Sequence, residues 1–394
     1  MNITFLIGNG FDMASGIDTS YSSFYEWYCK QPSEKECIKK FKQDIKDDLK
    51  KGGKNWADFE IGLGRYTENF SAETVNDFFE CYDDAQAKII QFLKVQQSQF
   101  VLEDFDDAKL SQFKEGLMNF YQNLFPQERD LFKSIMEAEK ANNIRINFLS
   151  FNYTDTLNKL VDIIAKTPLM TWQHNGNKKL EVNKTVISMH GTYTHYPLLG
   201  VDNVAQIANQ ELLQVPDFKE IMIKPLSVIA AGERWHSEAE EIIRKSRIIG
   251  IFGMSLGDSD KRWWNTIVNW LKENKSRHLI IYWYTSTPPD NISLRKTLGE
   301  TAKAKAALYK HVELSYDEKE AMDSQIHVAI NTTDVLNFRL EKKKQYGVLE
   351  LAEKTMQEMP IIDENLIQAY ESAQKKLDEQ QKLFENLGVL ETIR

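Results

Sequence analysis

Cysteine is scarce. Cys29, Cys37 and Cys81 are the three cysteines of a 394-residue chain, all in its first quarter, with no CxxC pair. An odd, sparse set builds neither a disulfide framework nor a four-cysteine zinc site, and it fits a reducing compartment. No apolar run approaches the roughly 18 residues of a membrane span. Met1-Asn2-Ile3-Thr4-Phe5 reads directly as a strand without a basic leader, so the expected location is the cytoplasm. A net charge of −9 provides no global basic field for a polyanion, and nucleic acid is therefore not an expected partner. The basic groups Lys50, Lys51, Lys54 and Lys342, Lys343, Lys344 read as solvated helix faces. Two phosphate-binding signatures are also missing. There is no GxxxxGK[ST], and Met13 stands where a GxGxxG fingerprint needs its third glycine. Neither internal repeats nor low-complexity segments occur.

Against these absences stand four polar blocks, each launched from an apolar run: ITFLIGNGFD (Ile3–Asp12), INFLSFNYTD (Ile146–Asp155), VISMHG (Val186–Gly191) and IIGIFGMSLGDSD (Ile248–Asp260). Continuous apolar runs are the mark of buried parallel strands. In open α/β sheets, ligands bind just past the carboxyl ends of such strands. A glycine loop, an asparagine, a histidine and an Asp/Ser loop are thus expected at one crevice.

Strands are expected at 146–151, 185–189, 247–253, 278–284 and 325–330, with a short one at 221–223. Between the first strand and residue 146 the pattern turns helical, as in Phe78, Phe79, Tyr82, Ala85, Ile89, Phe92 and Leu93. Only Pro32 and Pro126 interrupt it. This stretch is too long for an ordinary crossover and reads as a helical insertion. Gly52-Gly53-Lys54-Asn55-Trp56 reads as a loop, with a helix beginning at Trp56-Ala57-Asp58-Phe59-Glu60. Further helices are expected at 155–166, at 234–246 and after Asp258 through Trp263, Trp264, Ile267, Val268 and Leu271. In the charged tail, Leu366, Tyr370, Ala373, Leu377, Phe384 and Leu387 step by four and three, interrupted by Gln380. That helix packs on its own domain or on a partner, a homo-oligomer included.

Several residues carry two readings. Asn152 can position a water or a ribose hydroxyl, or cap the helix beginning near Asp155. His190 can accept a proton, as histidines do near neutrality, or be structural. Gly8, Gly10 and Ser255 can serve phosphates through N–H and hydroxyl donors. Asp258 or Asp260 can hold a ribose or complement the following helix dipole. Trp56, Trp263 and Trp264 read as core, and His190 with His195 makes a poor metal pair, so no metal is expected.

GNGFDMASGI resembles the sirtuin cofactor loop. Asn152-Tyr153 resembles the asparagine block of sirtuin-like proteins, Met189-His190-Gly191-Thr192 their HG block, and Gly253-Met254-Ser255-Leu256 their later G-x-S-L block. LIGNGFDMASGIDTSYSSF, WADFE and FGMSLGDSD together resemble the bacterial abortive-infection family AbiH over most of the chain. The sirtuin-like resemblance implies a Rossmann-like, mostly parallel α/β sheet flanked by helices, with NAD as substrate or ligand. The nucleotide-binding domain would comprise 1–20 and 145–335, with a helical insertion at 21–144 and a helical tail at 336–394. It implies Asn152 and His190 as catalytic residues. It further implies cofactor-binding roles for Gly8, Asn9, Gly10, Phe11, Asp12, Gly16, Asp155, Gly253, Ser255, Leu256 and Asp258. The acid that often follows the asparagine by two positions is replaced by Thr154, with Asp155 next. The four-cysteine zinc module of protein deacylases is missing, which argues against lysine deacylation. The AbiH resemblance implies anti-phage defence with a phage-derived trigger. Together they imply hydrolysis of NAD to nicotinamide and ADP-ribose. The alternatives are a nucleotide- or ADP-ribose-sensing module without turnover, and a defence nuclease.

Overall fold

A computed structural model describes residues 1–100, 107–139, 143–166, 170–173, 177–286, 293–332, 335–336 and 339–340. Among them, seven strands form one sheet: β1 (Asn2–Ile7), β2 (Asn143–Ser150), β3 (Met170–Gln173), β4 (Asn177–Ser188), β5 (Ile248–Phe252), β6 (His278–Trp283) and β7 (Ile326–Ile330). Their spatial order is β3-β4-β2-β1-β5-β6-β7. The six strands from β4 to β7 run parallel, and β3 pairs antiparallel with β4. The architecture is therefore α/β and Rossmann-like. Among the described residues no helix is long and apolar enough to cross a membrane.

β1 lies at the centre because both its faces are apolar. Ile3, Phe5 and Ile7 join one core cluster and Leu6 joins the other. On the first face Phe5 stacks on Phe148 at 5.8 Å between ring centroids, with Phe120 edge-on at 6.3 Å. Successive strands are laid down on the β2 side of β1 and then, from β5 onward, on its other side. The order thus reverses beside β1, which is where an open α/β sheet leaves a crevice at its carboxyl edge.

Among the described residues, seven α-helices lie between β1 and β2: α1 (Gly10–Ala14), α2 (Tyr21–Tyr28), α3 (Glu36–Lys50), α4 (Phe59–Tyr66), α5 (Val75–Ser98), α6 (Asp107–Met118) and α7 (Pro126–Ala138). They divide between two cores. Phe113 and Leu117 of α6 and Phe132 and Ile135 of α7 pack with the sheet. Helices α2 to α5 form an aromatic cluster with Leu199, Val201, Phe218 and Met222. After β2 come α8 (Thr156–Lys166), α9 (Phe218–Met222), α10 (Lys224–Ala230), α11 (Trp235–Lys245), α12 (Lys261–Glu273), α13 (Leu294–Tyr309) and α14 (Tyr316–Asp323). α11 and α12 cover the second sheet face, where Trp264 is fully buried.

Residues 221–223 are not a strand. Met222 ends α9, Ile223 makes a single bridge to Val201, and Pro225 opens α10 in its first turn, where the missing N–H costs nothing. β3 and the first half of β4 were not expected, because Asn177–Val182 lacks a continuous apolar run and pairs at the sheet edge. The tail helix expected from residue 360 lies outside the described residues.

The strand ends meet through glycines. A Cβ on Gly8 would come within 2.6 Å of the Gly253 carbonyl oxygen, and one on Gly10 within 2.6 Å of the Gly253 Cα. Gly253 itself has φ +69°, a conformation that disfavours other residues. Gly10→Ala is therefore expected to destabilise the fold by about 2–3 kcal/mol. Gly299→Ala, in open space on α13, should be neutral or stabilising by up to ~1 kcal/mol. Urea unfolding of the two variants checks the contrast.

Candidate functional site

Beyond the carboxyl ends of β1, β2, β5 and β6 lies a cavity of about 810 Å³. Nine of the residues singled out from the sequence line it: Gly8, Asn9, Gly10, Asp12, Asn152, His190, Gly253, Ser255 and Leu256. The helical layer contributes as well, through Tyr21 and Phe24 of α2, Asp58 and Glu60 around the start of α4, and Phe92 of α5.

Four expected residues do not line it. Phe11 is fully buried in the sheet core. Gly16 forms the turn after α1, with φ +97°. Asp155 ties helices together, accepting from Gln97 and from the Tyr193 hydroxyl and pairing with Lys159 at 3.2 Å. Asp258 points to Lys310 and His311, at 3.3 and 2.9 Å. Its neighbour Asp260, two residues on in the same 3-10 turn, is the aspartate that faces the cavity.

The glycine loop lies at the end of β1 and lines the cavity, but the amides of Gly8 and Gly10 are already engaged. Gly8 N–H donates to the Phe252 carbonyl at 2.9 Å and Gly10 N–H to the Gly253 carbonyl at 2.8 Å. They are not free phosphate donors. The glycines serve close loop packing instead, and the Asn9 side chain holds the Thr19 carbonyl at 3.1 Å.

Asn152 is 5% exposed, and neither its side-chain nitrogen nor its oxygen has a hydrogen-bond partner. Burying an amide in this way costs roughly 1–3 kcal/mol per group unless something else satisfies it. Asn152 does not cap α8 through its side chain.

His190 is flanked by Phe151 and Tyr153, at ring separations of 5.3 and 5.9 Å. Its Nε2 lies 2.9 Å from Asp260 Oδ1 and 3.2 Å from Lys224 Nζ. Lys224 donates to Glu60 Oε2 at 2.8 Å and to Asp260 Oδ1 at 3.2 Å. Tyr153 donates its hydroxyl to Glu60 Oε1 at 2.8 Å. Burial alone would raise the Asp260 carboxyl, but the Lys224 ammonium, with His190, holds it below the usual carboxylate range. Glu60 is raised, because burial outweighs the attraction of Lys224. An ionised Asp260 at the nearer distance favours the tautomer with its proton on Nε2 and its lone pair on Nδ1, against the Lys224 ammonium on the same side. The arrangement is a carboxylate-oriented imidazole beside a buried cation.

Asp12, in the first turn of α1, is 1% exposed. Its Oδ2 accepts from the Thr154 hydroxyl at 2.5 Å, and its Oδ1 has no partner. Burial pushes its carboxyl up to about 7, against the opposing hydrogen bonds of Thr154 and Thr156. The described lining contains four carboxylates, Asp12, Asp58, Glu60 and Asp260, and no lysine or arginine. Among the described residues no three His, Cys, Asp or Glu side chains gather as metal ligands.

Sequence reasoning passed over Lys224 and did not assign roles to Asp58, Glu60 or Tyr153. The WADFE block containing Asp58 and Glu60 was visible only as a family resemblance. Lys224, 164 residues from its partner Glu60, leaves no local signal.

Two stability measurements test these charges. A carboxyl raised by folding loses stability as pH rises, since above about pH 4 the unfolded chain ionises first. Asp12→Asn should then stabilise the protein by up to ~4 kcal/mol at pH 8 and by little at pH 4. Lys224→Met, which strands Glu60 and Asp260, should cost about 3–5 kcal/mol near neutrality. Denaturant melts across pH read both.

The sequence matches the profile of the family described as Bacteriophage abortive infection AbiH over residues 4–282. That span runs from β1 through β6 and includes every residue of the cavity described so far. No match was found among curated proteins. The match covers well over half of the chain, which therefore belongs to the AbiH family, with a role in abortive-infection defence against phage.

Proposed function

We propose that this chain acts in phage defence by hydrolysing NAD to nicotinamide and ADP-ribose in the cavity at the carboxyl edge of the sheet. One observation carries the reading. Asn152 presents a buried carboxamide with both polar atoms unpartnered to the same cavity as His190, beside the Gly8–Gly10 loop. A group kept unsatisfied in a buried site is prepared for a ligand rather than for the fold. The sirtuin-like resemblance of these blocks indicates the chemistry.

Cleavage of the nicotinamide–ribose bond passes through a cation-like ribosyl state, as glycoside cleavage does. The carboxylates of the lining favour a cationic ring and the positive charge that develops on the sugar. Asn152 orients the water or a ribose hydroxyl. His190, held by Asp260, offers Nδ1 to a ribose hydroxyl, a bond that strengthens as the ring becomes cationic. A volume near 810 Å³ is ample for a dinucleotide portion of this size class. Without zinc-binding cysteines there is no module for an acyl-lysine partner, and water is the natural acceptor.

Thr154 in place of an acid slightly favours the sensing alternative, but its hydroxyl is bonded to Asp12, another carboxyl of the same cavity. The net charge of −9 gives no basic field for a long nucleic acid, which weakens the nuclease reading.

Purified protein incubated with NAD should release nicotinamide, and Asn152→Ala and His190→Ala should each lower the rate by roughly 10²–10⁴. No release in any assembly state, or undiminished release by both variants, would sink the reading.

A further inference from the structure

Asp12 is the one cavity carboxyl described above with a buried oxygen lacking any partner. Asp260 and Glu60 are tied to Lys224. Asp58 caps α4, its Oδ1 accepting from the Glu60 and Ile61 amides. Asp12 accepts the Thr154 hydroxyl on Oδ2, the Thr156 hydroxyl also acts on its carboxyl, and Oδ1 has no hydrogen-bond partner, although the residue is 1% exposed and lines the cavity with Asn152 and His190. A carboxylate placed to stay ionised for structural reasons normally collects two or three donors. Here the unbonded oxygen can instead hold a proton or accept one, and the cavity that Asp12 lines is a source for the group that satisfies it.

We propose that Asp12 is the general base of this site, receiving on Oδ1 the proton of the attacking water. The assignment rests on the NAD-hydrolysis reading. The water oxygen bonds to the ribosyl carbon and its O–H bond breaks, the proton passing to Asp12. The bond from that carbon to the nicotinamide nitrogen breaks, and its electron pair moves to the nitrogen, so nicotinamide leaves neutral. Asp12 returns its proton to solvent as the products leave. Water is the only co-reactant. His190 keeps its separate task at the ribose hydroxyl.

The surroundings suit a group that exchanges protons at neutral pH. Burial raises the carboxyl, and the negative charge of Asp155, from the loop before α8, raises it further. The Tyr193 phenol faces the same region and stays neutral, its own acidity weakened first by burial and then by Asp155. The Thr154 and Thr156 hydroxyls oppose, holding Asp12 near neutrality. A base must be ionised, so the rate should rise with pH through about 7.

Three variants and two readouts test this. Asp12→Asn keeps an acceptor for Thr154 but cannot take a proton. It should lower kcat by about 10²–10⁴ and abolish the rise in rate through neutral pH. Asp12→Glu should restore part of the rate. Thr154→Val, by removing the opposing hydroxyl, should move the rise to higher pH while leaving the enzyme active, a shift that no loss of folding would mimic. Independently of turnover, infrared difference spectra of the protein alone should show a carboxylic-acid band that titrates near neutrality, is absent from Asp12→Asn, and shifts when ADP-ribose is added. An active wild type whose Asp12→Asn variant keeps its rate and pH profile overturns the assignment alone. So does an Asp12 band that titrates at the ordinary carboxylate pH. A wild type that releases no nicotinamide overturns the function, and the assignment falls with it.

Discussion

The close approach of two backbones at the centre of the sheet is the constraint on which the site depends. The Gly8–Gly10 loop and the Gly253 loop touch with no room for a Cβ, and their amides and carbonyls are bonded to each other. This contact closes the gap beside β1 that the reversal of strand order would otherwise leave open. It also sets the positions of Asp12, one residue after the packed Phe11, and of the Ser255–Asp260 turn. Conformational freedom and small size, rather than phosphate binding, are the reason for glycine at these points.

A second constraint is electrostatic. Lys224 is buried between two carboxylates and within hydrogen-bond distance of His190. A buried ion pair is a poor source of net stability, because desolvation offsets most of the Coulomb gain. Its value here is orientation. It joins α4, α10, the 3-10 turn before α12 and the loop carrying His190, four segments far apart in sequence, and it leaves the imidazole with one free nitrogen. The helical layer is therefore part of the cavity wall and not an appendage to the sheet.

Much of the fold was legible in the sequence, for a simple reason. β1, β2, β5, β6 and β7 are buried over most of their length and read as mainly apolar runs, broken only by single polar residues such as Thr4, Asn147 and His327. The β3–β4 hairpin sits at the edge, carries the polar run Asn177-Lys178-Lys179, and gave no such signal. The Met222–Ile223 pair is apolar because it is buried against the helical cluster, not because it is a strand. At the site, the rule that ligands gather at strand ends puts Gly8, Gly10, Asn152 and His190 at one crevice, and all four line the same cavity. What that rule could not supply was side-chain direction. Asp258 and Asp260 are equivalent as sequence, and the 3-10 turn alone sends one to Lys310 and the other to His190. Nor could it reveal Lys224, or the engagement of the glycine amides, which depend on pairings across more than a hundred residues.

The cavity's walls come from residues spread over a long stretch of the chain, from Gly8 to Thr332. β1, made first, has no partner on its far side until β5 exists, so the central pairing is among the longest-range contacts in the sheet. No chain that stops short of Asp260 can assemble the cavity. Every unfinished copy on the ribosome therefore lacks the cavity by topology alone, whatever binds there in the finished chain.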